Sequence, residues 1–169
     1  PHPVGHLLKN PDYANTLKLV AADVSAFYKG PIATQIAEMV QRSPRAGRLT
    51  VEDIAGYQAV KHEALCQPYK NVQVCGAPPP SSWVAVGMTL GILENSHGFS
   101  DKGAEDPMNW ALFAQAQQLA YADRDQYIAD TNQVDVPLKG LLHPDYLAQR
   151  AALISKDSAM TSISAGNPW

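Results

Sequence analysis

Residues able to do chemistry are scattered along this chain of 169 residues, and few stand at spacings that chemistry requires. Ser81-Ser82 could offer a hydroxyl nucleophile, but no Gly-x-Ser-x-Gly elbow surrounds them to lift an oxygen onto a strained turn. Their position after Pro78-Pro79-Pro80 suits capping and turn roles instead. Asp123, Arg124 and Asp125 form a charged cluster. Neighbours on a helix point to different sides, which favours separate structural partners for Asp123 and Arg124 over one catalytic pair. Glu52 and Asp53 stand in the first turn of a helical pattern, where carboxylates offset the dipole rather than act as general acids. His2, His6, His62, His97 and His143 lack metal-ligand spacing, and two cysteines do not complete a zinc set.

Cys66 and Cys75 carry the most specific geometric expectation. Val60 to Gln67 and Val72 to Gly76 read as extended runs joined by Tyr69-Lys70-Asn71. With Lys70-Asn71 as a two-residue turn, Tyr69 pairs with Val72, Pro68 with Gln73, Gln67 with Val74 and Cys66 with Cys75. Pro68/Gln73 and Cys66/Cys75 are then non-hydrogen-bonded pairs, where proline's missing N–H does no harm and Cα atoms are closest. Two readings follow: a cross-strand disulfide, or two small buried thiols.

The remaining elements follow from caps and periodicity. Asn10-Pro11 opens a helix to about Ala26 through Ala14, Leu17, Val20, Ala21 and Val24. Gly30-Pro31 opens a second, with Ile32, Ile36, Met39 and Val40 as a core stripe and Ser43-Pro44 at its end. Thr50 and Asp53 approach a capping box for a short helix to about Gly56. The triple proline ends the hairpin pattern, and a helix is predicted from Trp83 to about Glu94. After a polar loop with Gly98 and Gly103, Asp106-Pro107 starts the longest helix, to about Ala129. Met108, Leu112, Leu119 and Ile128 carry its stripe, and Ala116, Ala120 and Ala122 would let another element approach closely. Gln133 to Pro137 reads as a loop or extended link, His143-Pro144 leads a last helix to about Ile154, and the polar tail from Ser155 is expected to be flexible.

Composition adds limits. Apolar residues make up 46% of the chain, enough to bury a core, although a segment of a larger sandwich can leave a face for its partner. A net charge of −3 provides no basic footprint for nucleic acid, and no apolar run approaches the roughly twenty residues that would span a bilayer.

Taken in order, Phe27-Tyr28-Lys29-Gly30, Ala77-Pro78-Pro79-Pro80-Ser81-Ser82 and Leu119-Ala120-Tyr121-Ala122-Asp123-Arg124 resemble the large-subunit region of the γ-glutamyltranspeptidases, a threonine-dependent branch of the N-terminal-nucleophile hydrolases. The resemblance extends through Leu8-Lys9-Asn10-Pro11-Asp12, Leu49-Thr50-Val51-Glu52-Asp53, Val134-Asp135-Val136-Pro137 and Gly140-Leu141-Leu142. It implies an α+β, mainly helical fragment with a β-hairpin, part of a four-layer αββα sandwich. It also implies transfer of a γ-glutamyl group from glutathione or a related amide by a precursor that cuts itself and frees a threonine as nucleophile.

On that resemblance the catalytic threonine and the substrate-binding arginine lie outside a chain running from Pro1-His2-Pro3 to Asn167-Pro168-Trp169. The chain is then one segment, 1–169, of a larger precursor. No catalytic residue is assigned within it, no metal or organic cofactor is implied, and the piece alone should be inactive. Its partners would be the small subunit and the rest of the large one, in a periplasmic or secreted protein. Two departures stand out: Trp83-Val84 replace the two glycines that most relatives carry there, and Gln115 stands where glutamate is common. The first puts ordinary donor specificity in doubt and gives weight to a related acylase for cephalosporin side chains or capsule poly-γ-glutamate; a noncatalytic scaffold module is the other alternative.

Overall fold

Helix starts follow the capping chemistry in the sequence. In a computed structural model that describes residues 2–42 and 44–169, the chain divides into two compact units, Pro1–Val60 and Lys61–Trp169. Ser43, expected at the end of the second helix, lies outside the described residues.

In the first unit, α1 (Pro11–Ala22) opens where the Asn10 side chain accepts the Tyr13 N–H at 2.9 Å. The helix stops short of Ala26. Asp23 turns to extended backbone, and its carboxylate takes the Ser25 hydroxyl at 2.7 Å and the Ser25 N–H at 2.8 Å. These bonds, the hydroxyl's first, hold its carboxyl below the usual range. A separate turn, α2 (Ser25–Tyr28), results. Before α3 (Pro31–Val40), Gly30 takes φ 120°, a value that side-chain-bearing residues rarely adopt.

The expected core stripe of α3 is corrected: Met39 and Val40 are exposed, and Ala33 and Ala37 are the buried pair. Small residues let the neighbouring elements approach, so the core is Ala33, Ala37 and Ile54 with Tyr28, Ile36 and Val51 around it. Helix α4 (Val51–Gly56) has the full capping box: Thr50 Oγ1 accepts the Asp53 N–H at 3.1 Å, and Asp53 accepts the Thr50 N–H at 2.9 Å.

The second unit begins with β1 (Leu65–Tyr69) and β2 (Val72–Gly76), shorter at its start than the run from Val60. The register is the expected one, pairing Tyr69 with Val72 and Cys66 with Cys75. The cysteines form the cross-strand disulfide, with Cα atoms 4.1 Å apart. Lys70 adopts φ 51°, as tight hairpin turns require, and donates its N–H to Glu94 Oε1 at 3.1 Å.

Helix α5 (Trp83–Asn95) is the centre of this unit. Val84, Met88 and Ile92 are fully buried, and Ala85, Thr89 and Leu93 are buried on its other sides, as suits a helix apolar all round. It packs against β1, β2, α6 (Pro107–Tyr127), α7 (Leu138–Leu141) and α8 (Pro144–Ala151). Asp106 caps α6 by accepting the Met108 N–H at 2.9 Å. Leu112 and Leu119 hold the stripe while Met108 stays exposed, and Ala116 and Ala120 permit the close approach to α5.

Helix α7, which forms between the link ending at Pro137 and the last helix in a stretch for which no element was expected, and the end of α8 at Ala151 rather than about Ile154 are further departures. The tail is also different from the expectation: it has no regular structure but is docked, with Met160 and Ile163 against the core and Pro168 buried.

Candidate functional site

Of the serines, acids and basic residue singled out in the sequence, Ser82, Arg124 and Asp125 come together, with no nucleophile set against a base. Ser81 Oγ accepts the Trp83 N–H at 3.4 Å, a turn contact, while Ser82, at the N-cap, makes no side-chain cap bond and its Oγ accepts from Arg124 Nε at 3.2 Å. Arg124 also pairs with exposed Asp125 at 2.7 Å. Glu52 and Asp53 sit in the first turn of α4, and Asp53, held low in pKa by the Thr50 N–H and hydroxyl, is a capping group. Among the described residues, no three His, Cys, Asp or Glu side chains gather where they could hold a metal ion.

Trp83 and Val84 are both buried. The Trp83 indole lies over Gly76 at the end of β2, so that any Cβ at position 76 would overlap it. Gln115 is buried on the α6 stripe and uses both ends of its amide on one residue: Nε2 donates to Ser155 O at 2.7 Å and Oε1 accepts the Ser155 N–H at 3.1 Å. Glutamate could not make the first of these bonds, because an ionised carboxylate only accepts.

The constellation that does form was half visible in the sequence. The buried stripe of α6, Leu112, Ala116, Leu119 and Ala120, continues to Asp123, and the stripe of α8, Tyr146, Leu147 and Ala151, includes Arg150. Opposite charges at apolar-stripe positions of two helices were the available signal. Arg150 was missed because a single charge on a short stripe is ordinary.

Asp123 is fully buried, and its Oδ2 lies 3.0 Å from Arg150 Nε in an ion pair whose N–H is not aligned for a hydrogen bond. Its Oδ1 accepts the Gly166 N–H at 2.7 Å. Arg150 Nη2 donates to Ser164 O at 2.9 Å and Leu119 O at 3.2 Å, and the Tyr127 hydroxyl donates to Gly166 O at 2.6 Å.

Gly166 is thus held by both its N–H and its carbonyl. A Cβ there would come within 2.5 Å of the Tyr146 hydroxyl, so glycine fits the approach. Burial, and then the Asp123 carboxylate, push ionisation of Tyr146 far above the ordinary tyrosine range. These residues contain no nucleophile set against a base. Chemically the arrangement is a charged clamp that fixes a chain segment, and the Tyr146 hydroxyl beside it keeps its proton.

The sequence pattern of the gamma-glutamyltranspeptidase family matches residues 1–168. The chain is 36% identical over 167 residues to the glutathione hydrolase proenzyme of Bacillus subtilis (strain 168), covering 98% of this chain and 28% of that protein. It is 34% identical over 161 residues to the acylase ACY 1 proenzyme of Pseudomonas sp. (strain SE83), covering 92% and 28%. The chain therefore spans little more than a quarter of the curated relatives it matches. Among solved structures, the γ-glutamyltranspeptidase of Helicobacter pylori superposes with TM-score 0.74 at 28% identity, over 96% of this chain and 47% of that one. A cephalosporin acylase from Bacillus halodurans superposes with TM-score 0.77 at 26% identity, over 98% and 30%.

Proposed function

Because this chain belongs to the γ-glutamyltranspeptidase family, we propose that the intact protein transfers or hydrolyses γ-glutamyl groups of glutathione or related amides. The acyl group would pass through an ester on a threonine outside residues 1–169, with that residue's freed α-amino group as base. The observation that carries this reading is the match of the family pattern over residues 1–168, joined to superposition on a γ-glutamyltranspeptidase along 96% of the chain.

Within the protein this segment serves as scaffold. Its partners are the remainder of the large subunit and the small subunit of the same precursor, and small γ-glutamyl compounds bind the assembled site. Its helices α5, α6 and α8 form a packed layer, and its two-stranded hairpin would add strands to a larger sheet in the intact protein. The Cys66–Cys75 bridge supports a periplasmic or secreted location, since disulfides persist in oxidising compartments. Among the described residues, no helix is long and apolar enough to cross a membrane.

A second reading, an acylase of the same fold with another acyl donor, is favoured by one observation: Trp83-Val84 in place of the expected glycines. The experiment that separates the two is expression of the full-length gene with intact mass and γ-glutamyl anilide turnover followed in time. Two subunits, the smaller beginning with threonine, together with turnover support the first reading. Two subunits without turnover support the acylase, and an uncleaved, inactive protein refutes both.

A further inference from the structure

Fixing Gly166 and Ser164 takes a fully buried carboxylate, a buried guanidinium and a tyrosine hydroxyl, all from helices of the packed layer. We infer that Asp123, Arg150 and Tyr127 are positioning residues for self-cleavage, clamping the tail so that the chain beyond it enters the processing site in one register. The inference rests on the reading above, in which the intact protein is a precursor that cuts itself.

Three observations support a clamp over a mere core contact. The bonds go to backbone atoms of an irregular segment, so they fix its path rather than its side chains. They grip both polar groups of one peptide-bearing residue, Gly166, and the close approach to Tyr146 restricts that position to glycine. Finally, Asp123 and Arg150 are costly to bury for packing alone, because apolar residues of similar volume would fill the α6–α8 interface at least as well.

The step served is hydrolysis of one peptide bond. Water supplies its OH to the acyl carbon and its proton to the departing nitrogen, leaving a carboxyl end on one subunit and an amino group on the other. Reaction at one bond of a held chain depends steeply on placement, and about 1 Å of drift can cost about a hundredfold.

The test uses the full-length precursor and reads the half-time of subunit appearance beside the thermal midpoint. Tyr127→Phe removes one bond, that to Gly166 O, and keeps the ring in its packing. It is expected to slow cleavage at least about fivefold while the thermal midpoint stays at the wild-type value. The paired variant Asp123→Leu/Arg150→Met keeps an apolar interface but releases the Ser164 carbonyl and the Gly166 N–H, leaving only the Tyr127 bond, and is expected to fold and to cleave more than about tenfold slower.

Wild-type cleavage rates in both folded variants would overturn the clamp. A wild-type precursor that never cleaves overturns the functional reading itself, and the clamp with it. Loss of stability in proportion to loss of cleavage in both variants would also overturn it, by assigning the residues a purely structural role.

Discussion

Replacing Asp123 with alanine strips the charge partner from Arg150 in a place that water does not reach. The carboxylate is fully buried, and the Arg150 side chain is 6% exposed at 3.0 Å. Breaking a buried pair from one side costs about 3–5 kcal/mol, because the remaining charge keeps only neutral carbonyl partners and has neither counter-charge nor solvent. The Gly166 N–H also loses its acceptor but lies near the surface, where water can replace it at a small further cost.

Local stability of this order is readable by native-state amide hydrogen exchange, in which protected amides report the free energy of the opening that exposes them. At about 1.4 kcal/mol per power of ten, Asp123→Ala should speed exchange of the Gly166 amide and of the α8 amides by about two to three and a half powers of ten. Asp123→Leu/Arg150→Met should recover most of that protection in α8 but not at Gly166, whose partner is gone in both. The reasoning is refuted if exchange in α8 changes by less than about fivefold in the alanine variant, since the pair would then be solvated in fact.

Two further outcomes are expected. Tyr146 is pushed above the ordinary value, so above about pH 10 the unfolded chain releases its phenol proton while the folded chain keeps it. Stability from this group is therefore complete below that pH and is lost as pH rises toward the folded value. In ultraviolet titration of the full-length protein, Tyr146→Phe should leave the phenolate signal developing near pH 10 unchanged; a drop by one tyrosine there would contradict the burial argument. Gly76→Ala should drive a methyl into the Trp83 indole and destabilise the full-length protein by about 1–3 kcal/mol, whereas the same change made beside Trp83→Gly should cost far less. Additive effects on the thermal midpoint would show that residues 76 and 83 do not meet.

The parts of the fold legible in advance were those governed by bonds between residues a few positions apart. Asn10, Thr50 and Asp106 start helices because their side chains reach N–H groups two or three residues on. Lys70-Asn71 sets the register from Tyr69/Val72 out to Cys66/Cys75, because a two-residue turn leaves no freedom in pairing. The choice between bridge and free thiols followed from that register once the Cα separation was known.

Helix α1 ran too long in prospect because Asp23 can equally be read as a helical residue, and only its grip on Ser25 ends the helix. The stripe of α3 misled for a related reason: Met39 and Val40 match the period, but the face that meets α4 is the alanine one. Among the candidate functional groups, the separation of Asp123 from Arg124 was foreseen from helical geometry. Their long-range partners were not, since Arg150 and Gly166 lie 27 and 43 positions from Asp123, and Ser82 lies 42 from Arg124.

Local chemistry along the chain therefore determined the caps, the hairpin register, the helical layer and the ordered motifs of the family, for these depend on spacing of a few residues or on the order of residues alone. Tertiary structure decided that Trp83 lies over Gly76, that Gln115 takes both polar groups of Ser155, and that Asp123 and Arg150 clamp the tail. Each of these joins segments distant in sequence, and a buried polar group specifies only that it needs a partner. Which partner it receives is fixed when the packed helices bring the two together.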